Sequence, residues 1–178
     1  VRPWNEGYEV FARRSTGSSH PGRCYRARGV VLSGGVLGTV KLLMKCRRTG
    51  MLPGLSPQLG NYVRTNSESL IQPGQNRAPA YIPIANEVAR RLGEKMNGIP
   101  LSFIGEALFN TSSTAHILGG CCMGATPDKG VVGFNGEVFG YPNLFVADGS
   151  VVPANLGVNP SLTITALSEY IMSQRPAR

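Results

Sequence analysis

Acidic residues, histidines and long apolar runs are all scarce in this sequence. Its 178 residues include 10 Asp and Glu against 18 Lys and Arg, and only two histidines, so the formal net charge is +8. No apolar run approaches the roughly 20 residues that a helix needs to cross a bilayer, and the first residues lack the apolar core of a signal peptide. The sequence identifies no compartment, but we expect a chain without a transmembrane segment, in the cytoplasm rather than secreted.

Cysteine is present, but not in a metal-binding or disulfide pattern. The four cysteines are Cys24, Cys46, Cys121 and Cys122, and the adjacent pair follows His116 by five residues. The Cys-x-x-Cys spacing that is typical of zinc sites is missing, and no second histidine lies near in the sequence. We therefore expect reduced, packed thiols and no bound metal.

Positive charge is concentrated in the first third of the chain. Residues 1–64 contain 11 basic and two acidic residues, whereas the remainder contains seven basic and eight acidic residues. Such asymmetry can indicate a nucleic-acid partner, but these arginines are not interleaved with aromatic residues. A solvated face, or a face that meets acidic protein, is favoured over nucleic acid or an anionic cofactor.

Hydrophobic periodicity predicts an α/β fold of mixed helices and strands. Strands are predicted over residues 8–12, 25–33 and 143–147, a hairpin over 131–139, and helices over 36–48, 84–96, 159–174 and, as a short turn, 58–62. The helix over 84–96 places its larger apolar residues on one face. In the last helix the predicted buried stripe comprises Leu162, Ala166, Leu167, Tyr170 and Ile171.

Two passages lead from a strand through a turn toward a helix, which is where anions commonly bind. In the first, Gly34 and Gly35 open a helix, although a tight turn required only for packing explains them equally well. In the second, Asp148-Gly149 ends a strand, and Asn159-Pro160-Ser161 begins the last helix. The alternative is that Asp148 caps backbone amides and Asn159 caps that helix.

His116 lies among glycines and apolar residues, in the segment TAHILGGCCMG (114–124). Little bulk around an imidazole can leave it open to a ligand, and imidazoles are the usual proton carriers near neutral pH. A hydrogen-bonded core histidine is the alternative reading of this segment.

Taken together, these segments resemble the C-terminal part of the glucose–methanol–choline (GMC) oxidoreductases, and most closely their cholesterol-oxidase-like branch. The resemblance rests on four stretches in matching order: VVLSGGVLGT (30–39), HILGGC (116–121), NLFVADGS (143–150) and GVNPSLTITAL (157–167). It covers nearly the whole chain and is densest from residue 81 onward.

The resemblance implies an FAD-dependent enzyme that oxidises the CH-OH group of an alcohol or sterol by hydride transfer to the flavin. His116 and Asn159 match the family's active-site pair. The positions that match flavin contacts are Gly34, Gly35, Asp148, Gly149, Asn159, Pro160 and Ser161. From the cysteine spacing and the arginine pattern above, we expect no metal and no nucleic-acid partner.

Two departures from the family pattern limit what is expected of this chain. The Gly-x-Gly-x-x-Gly unit that holds the adenine-side pyrophosphate is absent, and only residues 69–80 stand where the family has a large substrate domain. Residues 1–68 therefore match part of an FAD-binding domain, 69–80 a linker, and 81–178 the region that completes the FAD domain and active site.

We expect a shortened enzyme whose partner could be a missing N-terminal portion, and whose alcohol and electron acceptor the sequence does not identify. The alternative is a non-catalytic remnant that folds as a basic binding module. Steep salt dependence of binding would identify that alternative if the ligand were nucleic acid.

Overall fold

The computed structural model of the chain describes residues 1–13, 22–65, 83–99 and 116–175. Its strands are β1 (Arg2–Trp4), β2 (Gly7–Ala12), β3 (Arg23–Ala27), β4 (Val30–Leu32), β5 (Arg64–Thr65), β6 (Ile117–Leu118) and β7 (Leu144–Val146). Its helices are α1 (Gly35–Arg48), α2 (Pro83–Met96) and α3 (Ser161–Ser173), with a 3-10 turn at Gly149–Val151. The prediction of mixed helices and strands, consistent with an α/β fold, is confirmed.

Strands β1, β2 and β3 form an antiparallel sheet in that order. The sheet is fixed to the rest of the chain by Tyr8, whose hydroxyl donates a 2.7 Å hydrogen bond to the Pro142 carbonyl just before β7. On one of its faces the buried Glu9 accepts hydrogen bonds from Arg2 at 2.6 Å and Arg26 at 3.1 Å. The Arg2 hydrogen bond, and then that of Arg26, hold the pKa of Glu9 below its ordinary value.

Strands β4 and β7 pair in parallel, with Leu32 opposite Val146. Parallel strands are normally covered on both faces, and here α1 packs beside them through Val36, Val40 and Leu43, all of them buried in the core. Helix α1 carries Lys45, Arg47 and Arg48 in its last turn, where cations suit the helix dipole. Its span confirms the helix predicted over 36–48.

The single strand predicted over 25–33 is wrong in its continuity, because the chain bends at residues 28 and 29. Its first part pairs antiparallel with β2, whereas Val30–Leu32 pairs parallel with β7 in a different sheet. At the bend Gly29 comes so close to Asn143 that an added Cβ would lie 3.3 Å from the Asn143 carbonyl oxygen. The predicted strand is therefore divided in two where its pairing changes from β2 to β7, and the local sequence does not show this change.

The short helix predicted near 58–62 is also wrong, because this stretch is a series of turns. Tyr62 has φ 60° and Gly60 has φ 90°, and neither value belongs to a right-handed helix. The hairpin predicted over 131–139 is present as a tight turn rather than as two strands. Val132 and Val138 form an isolated antiparallel bridge around the turn, in which Gly136 has φ 76°.

The buried stripe predicted for the last helix is mostly wrong. Ile171 is fully buried, but Leu162 is 81% exposed and Tyr170 is 54% exposed. Only one edge of α3 therefore meets the described core, close to the turn at Gly136, where an added Cβ would lie 2.8 Å from Ile171. The span of α2 confirms the prediction over 84–96, and the apolar residues on its predicted face are each more than half exposed: Ile84, Val88, Leu92 and Met96.

No helix within the described ranges is both long enough and apolar enough to span a membrane.

Candidate functional site

The end of β7 is a junction where three other parts of the chain meet. We define this junction as residues Ala147, Asp148 and Gly149. The amide of Ala147 donates to the Leu32 carbonyl at 2.9 Å, which extends the parallel pairing beyond β7. The carbonyl of Ala147 then accepts two hydroxyl hydrogen bonds, from Ser33 at 2.9 Å and from Ser168 of α3 at 3.2 Å.

The carboxylate of Asp148 joins the junction to α1. It is 7% exposed, and its Oδ2 accepts a 2.6 Å hydrogen bond from the hydroxyl of Thr39. Its Oδ1 accepts from the amide of Ser150 at 2.9 Å and from the hydroxyl of Ser150 at 2.6 Å. The side chain therefore caps the 3-10 turn, as the alternative from the sequence proposed, and any ligand contact at this position would fall to the backbone.

The glycine turn between β4 and α1 is tied to the same carboxylate through one residue. The amide of Gly34 donates to Oγ1 of Thr39 at 3.1 Å, and that hydroxyl in turn donates to Asp148. Gly35 has φ 67°, and an added Cβ would have no atom within 4 Å. The backbone of Gly35 is thus both in a conformation that favours glycine and open to close approach by a ligand.

Strand β6, which directly follows His116, lies against the other side of the junction. The Gly119 amide donates to the Gly149 carbonyl at 3.1 Å. A Cβ on Gly149 would lie 3.0 Å from Cδ1 of Ile164 and 3.4 Å from Cδ2 of Leu118. Glycine at 149 therefore lets β6 and the first turn of α3 approach the junction together. His116 itself is half-buried.

The N-terminus of α3 is organised by Asn159 in a way that differs by one residue from the prediction. The N-cap position is Pro160, which offers no side-chain hydrogen bond. Oδ1 of Asn159, which is exposed, instead accepts a 3.0 Å hydrogen bond from the Ser161 amide. Pro160 is buried, and its carbonyl accepts from Ile164 at 2.9 Å. The NH₂ group of the Asn159 amide is a hydrogen-bond donor that suits a hydroxyl or alkoxide oxygen.

The structure thus brings together, at one junction, the segments that carry all eight of the predicted site residues. Gly34 and Asp148 are linked through Thr39, and Gly149 contacts both β6 and α3. His116 and Asn159 stand at the starts of those two elements. The assignment of His116 and Asn159 to catalysis stays a prediction.

Three hydroxyl residues at this junction were not identified from the sequence: Ser33, Thr39 and Ser168. Little in the local sequence distinguishes Thr39 from the other residues of α1, or Ser168 from the other residues of α3, as a site residue. The only local signal is that Thr39 is a polar residue on the apolar face of α1, where it is 1% exposed. A buried hydroxyl needs a hydrogen-bond partner, so this position could have been marked as one with a specific partner.

The adjacent cysteines lie next to the junction and are buried. Burial raises the pKa of the Cys121 thiol to about 12 and also raises the pKa of Cys122. The Cys122 thiol donates to the Val152 carbonyl at 3.7 Å. Among the residues that the structure describes, no three His, Cys, Asp or Glu side chains are grouped as a metal site. Cys46 is buried as well, whereas Cys24 is exposed, so the expectation of packed thiols is confirmed for three of the four cysteines and wrong for Cys24. The expected absence of a metal stays a prediction.

A model of the GMC oxidoreductase family, describing its C-terminal part, matches residues 79–168. The match covers half of the chain and includes His116, Asp148 and Asn159, so this chain belongs to the GMC oxidoreductases. The resemblance inferred from the sequence motifs is therefore confirmed.

Among its relatives are cholesterol oxidases and long-chain-alcohol oxidases. The cholesterol oxidase of Acinetobacter baumannii is 28% identical over 299 aligned residues, which cover 100% of this chain and 54% of the relative. That of Mycobacterium tuberculosis (strain H37Rv) is 48% identical over 98 residues, covering 55% of this chain and 17% of the relative. A long-chain-alcohol oxidase of Arabidopsis thaliana is 41% identical over 66 residues, or 37% of this chain and 9% of the relative.

The chain thus spans about half the length of the first of these relatives and less of the others. The alignment with the A. baumannii protein is also longer than the 178 residues of this chain. That alignment therefore contains positions of the relative that have no counterpart here.

Proposed function

We propose that this chain carries the flavin-facing junction and the active-site pair of an FAD-dependent oxidoreductase that acts on the CH-OH group of an alcohol or sterol. The observation that carries the proposal is the hydrogen-bonded junction at 147–149, to which the glycine turn, β6 and α3 are all attached. Ligands of open parallel sheets bind outside the carboxyl ends of the strands, and the junction follows the carboxyl end of β7.

The residues present fit a flavin nucleotide. The first amides of α1, and those that follow Ser161 in α3, have no acceptor within their own helices, and they suit phosphate or ring oxygens; the Ser161 amide itself already donates to Asn159. The open backbone at Gly35 supports close approach of a ligand. We assign Gly34, Gly35, Asp148 and Gly149, mostly through their backbones, to the nucleotide side, and Pro160 and Ser161 to the flavin ring.

Bound FAD would supply the hydride acceptor, and the chain's own residues would manage the hydroxyl group. The amide NH₂ of Asn159 would donate a hydrogen bond to the substrate oxygen and orient it. The imidazole of His116 would accept the hydroxyl proton as the hydride leaves the carbon, which is general-base catalysis. The partial positive charge at the start of α3 would stabilise negative charge that develops nearby.

The domain division proposed from the sequence is retained here. The surplus of aligned positions over chain residues supports a segment missing from within this chain. We place it at 69–80, where the family's substrate domain would stand. These residues lie outside the described ranges.

A nucleic-acid-binding module finds less support. Two arginines of the first sheet, Arg2 and Arg26, already form ion pairs within the chain, both with Glu9. The guanidinium of Arg26 also stacks over Trp4 at 4.4 Å, and that of Arg2 lies over Phe11 at 5.1 Å. One cation of the chain itself lies over each of these rings, which leaves less ring surface to stack on bases, although both rings remain partly exposed.

The roles of the active-site pair are tested in the full-length A. baumannii relative. Replacing the residue aligned with His116 by Ala should lower turnover by roughly 10²-fold or more, because a positioned base contributes that much, while the flavin spectrum is unchanged. The control replaces the residue aligned with Lys129, an exposed loop position, and should leave turnover unchanged. Unchanged turnover in the histidine variant would remove His116 from the mechanism.

The present chain gives a second test. Lacking the family's adenine-side glycine loop, it should purify without yellow colour and show no alcohol oxidation. A chain that retains FAD and oxidises an alcohol would contradict this expectation and show that the junction alone holds the cofactor.

A further inference from the structure

An open groove runs along the outer side of α1, with a volume of about 920 Å³. Its floor is formed by Val36, Val40 and Val63, which are buried beneath it. Two large apolar side chains of α1 stand at its edge: Leu37 is 63% exposed and Met44 is 40% exposed. Exposed apolar side chains that lie together beside a groove are a feature shared with interaction sites, and here they need support from a second observation.

Cations line the same groove from Lys41 to the end of α1. Lys41, Lys45 and Arg48 are exposed, and none of them forms an ion pair with the residues that the structure describes. Arg47 is different, because it donates to the Ser56 carbonyl at 3.1 Å. From Lys41 to Arg48 the helix rises by about 10 Å, so the positive charge is spread along the groove rather than placed at one end.

The exposed residues of α1 also follow the spacing of a helix–helix contact. Leu37, Lys41, Met44 and Arg48 succeed one another at intervals of four, three and four residues. Residues at this spacing form a single stripe on a helix, against which a second helix can pack. Apolar and basic positions alternate along the stripe, so a matching helix would present apolar and acidic residues in alternation.

We propose that the α1 groove is a docking site for an acidic amphipathic helix of a partner polypeptide. Its apolar residues would fill the space above the valines of the floor, and its carboxylates would meet Lys41, Lys45 and Arg48. The charge distribution supports this occupant, because residues 1–64 have an excess of nine positive charges that the described part of the chain does not balance.

Other occupants match the groove less well. A fatty acid has one carboxylate, which would leave two of the three cations unpaired. A flat bilayer surface does not fill a concave groove between α1 and Val63. Single-stranded nucleic acid is typically held by stacking of its bases on aromatic residues, and none lines this groove.

A designed peptide tests the proposal directly on this chain. The probe is a fluorescein-labelled helical peptide of about 14 residues, matching the length of α1, with Leu at alternating three- and four-residue spacing and Glu beside it. The matched control peptide has Gln in place of every Glu, and a third peptide has Lys at the same positions. Fluorescence anisotropy should show saturable binding of the Glu peptide that weakens with added salt, and binding of the Gln peptide should be roughly tenfold weaker or more.

Variants of the chain connect that binding to the groove. The double variant Lys41→Glu/Lys45→Glu should weaken binding of the Glu peptide by roughly tenfold or more and strengthen binding of the Lys peptide. Lys129→Glu makes the same kind of charge change at an exposed position outside the groove and should alter neither. Leu37→Gln removes an exposed apolar side chain without disturbing the core and should weaken the Glu peptide. Circular dichroism checks that each variant is folded.

Three results would overturn the proposal. The first is equal binding of the Glu and Gln peptides. The second is an equal loss of binding in the Lys129 and groove variants. The third is saturable binding of phosphatidylserine vesicles or oligo-dT through the groove lysines in the absence of any Glu-peptide binding. None of these results depends on flavin, so failure here leaves the proposed enzymatic function untouched.

Discussion

The hydrogen bonds of Thr39 predict that its hydroxyl, rather than its bulk, holds the candidate site together. Thr39→Val keeps the shape of the side chain but removes the donor to Asp148 and the acceptor for the Gly34 amide. A hydrogen bond to a charged group contributes about 1.5–3 kcal/mol. Asp148 retains its two bonds from Ser150, so the variant should lose about 2 kcal/mol of unfolding free energy, within that same range.

Thr39→Ser is the matched control, because it keeps the hydroxyl and removes only a buried methyl group. Burial of one such group contributes about 0.8 kcal/mol, so the serine variant should be the more stable of the two. Urea unfolding followed by circular dichroism measures both values. Hydrogen exchange should also show faster exchange at the amides of Gly34 and Ser150 in the valine variant than in the serine variant.

The result that would refute this reasoning is a valine variant at least as stable as the serine variant, with no change in exchange at Gly34. In that case the hydroxyl would be dispensable, and the glycine turn and the Asp148 cap would be held in place separately by the surrounding packing.

Three further predictions follow from the described contacts. Guanidinium hydrogen bonds hold the pKa of Glu9 below its ordinary value in the folded state, so its contribution to stability is present above the ordinary glutamate pKa and is lost as the pH falls toward the folded value. In a plot of the unfolding midpoint against pH, Glu9→Gln should therefore show a flatter acid limb than the unmodified chain. Parallel curves for the two proteins would contradict this. The pKa of about 12 for the buried Cys121 predicts no reaction with iodoacetamide at pH 8 in the native chain, whereas the exposed Cys24 should react; mass spectrometry of the modified peptides distinguishes them. Gly136→Ala should destabilise by at least about 1 kcal/mol more than Gly140→Ala, because both have positive φ but only the first meets a side chain of α3; equal unfolding midpoints would contradict it.

Elements whose stability is local could be predicted from the sequence. Helix α1 and helix α2 have apolar residues at helical spacing, and both spans agree with the prediction to within a residue or two. The prediction of one continuous strand over 25–33 failed because a run of strand-forming residues does not show where the chain changes from one neighbouring strand to another. The prediction of a buried stripe on α3 failed because periodicity identifies an apolar face but does not show what lies against it.

The candidate site divides in the same way. The family membership and the positions of His116, Asp148 and Asn159 follow from motifs, since these depend on residue type and order along the chain. The motifs also left open whether Asp148 binds a ligand or caps the backbone, and the hydrogen bonds of its carboxylate show that it caps.

Sequence alone determined where the three described helices lie and which residues could carry the chemistry, because these depend on periodicity and on side-chain type. Only the tertiary structure decided that Thr39 is the partner of Asp148, 109 residues away along the chain, and that β4 pairs with β7. A hydrogen bond or a strand pair depends on where two backbones meet in space. That meeting is set by the packing of the whole core, and no local pattern records it.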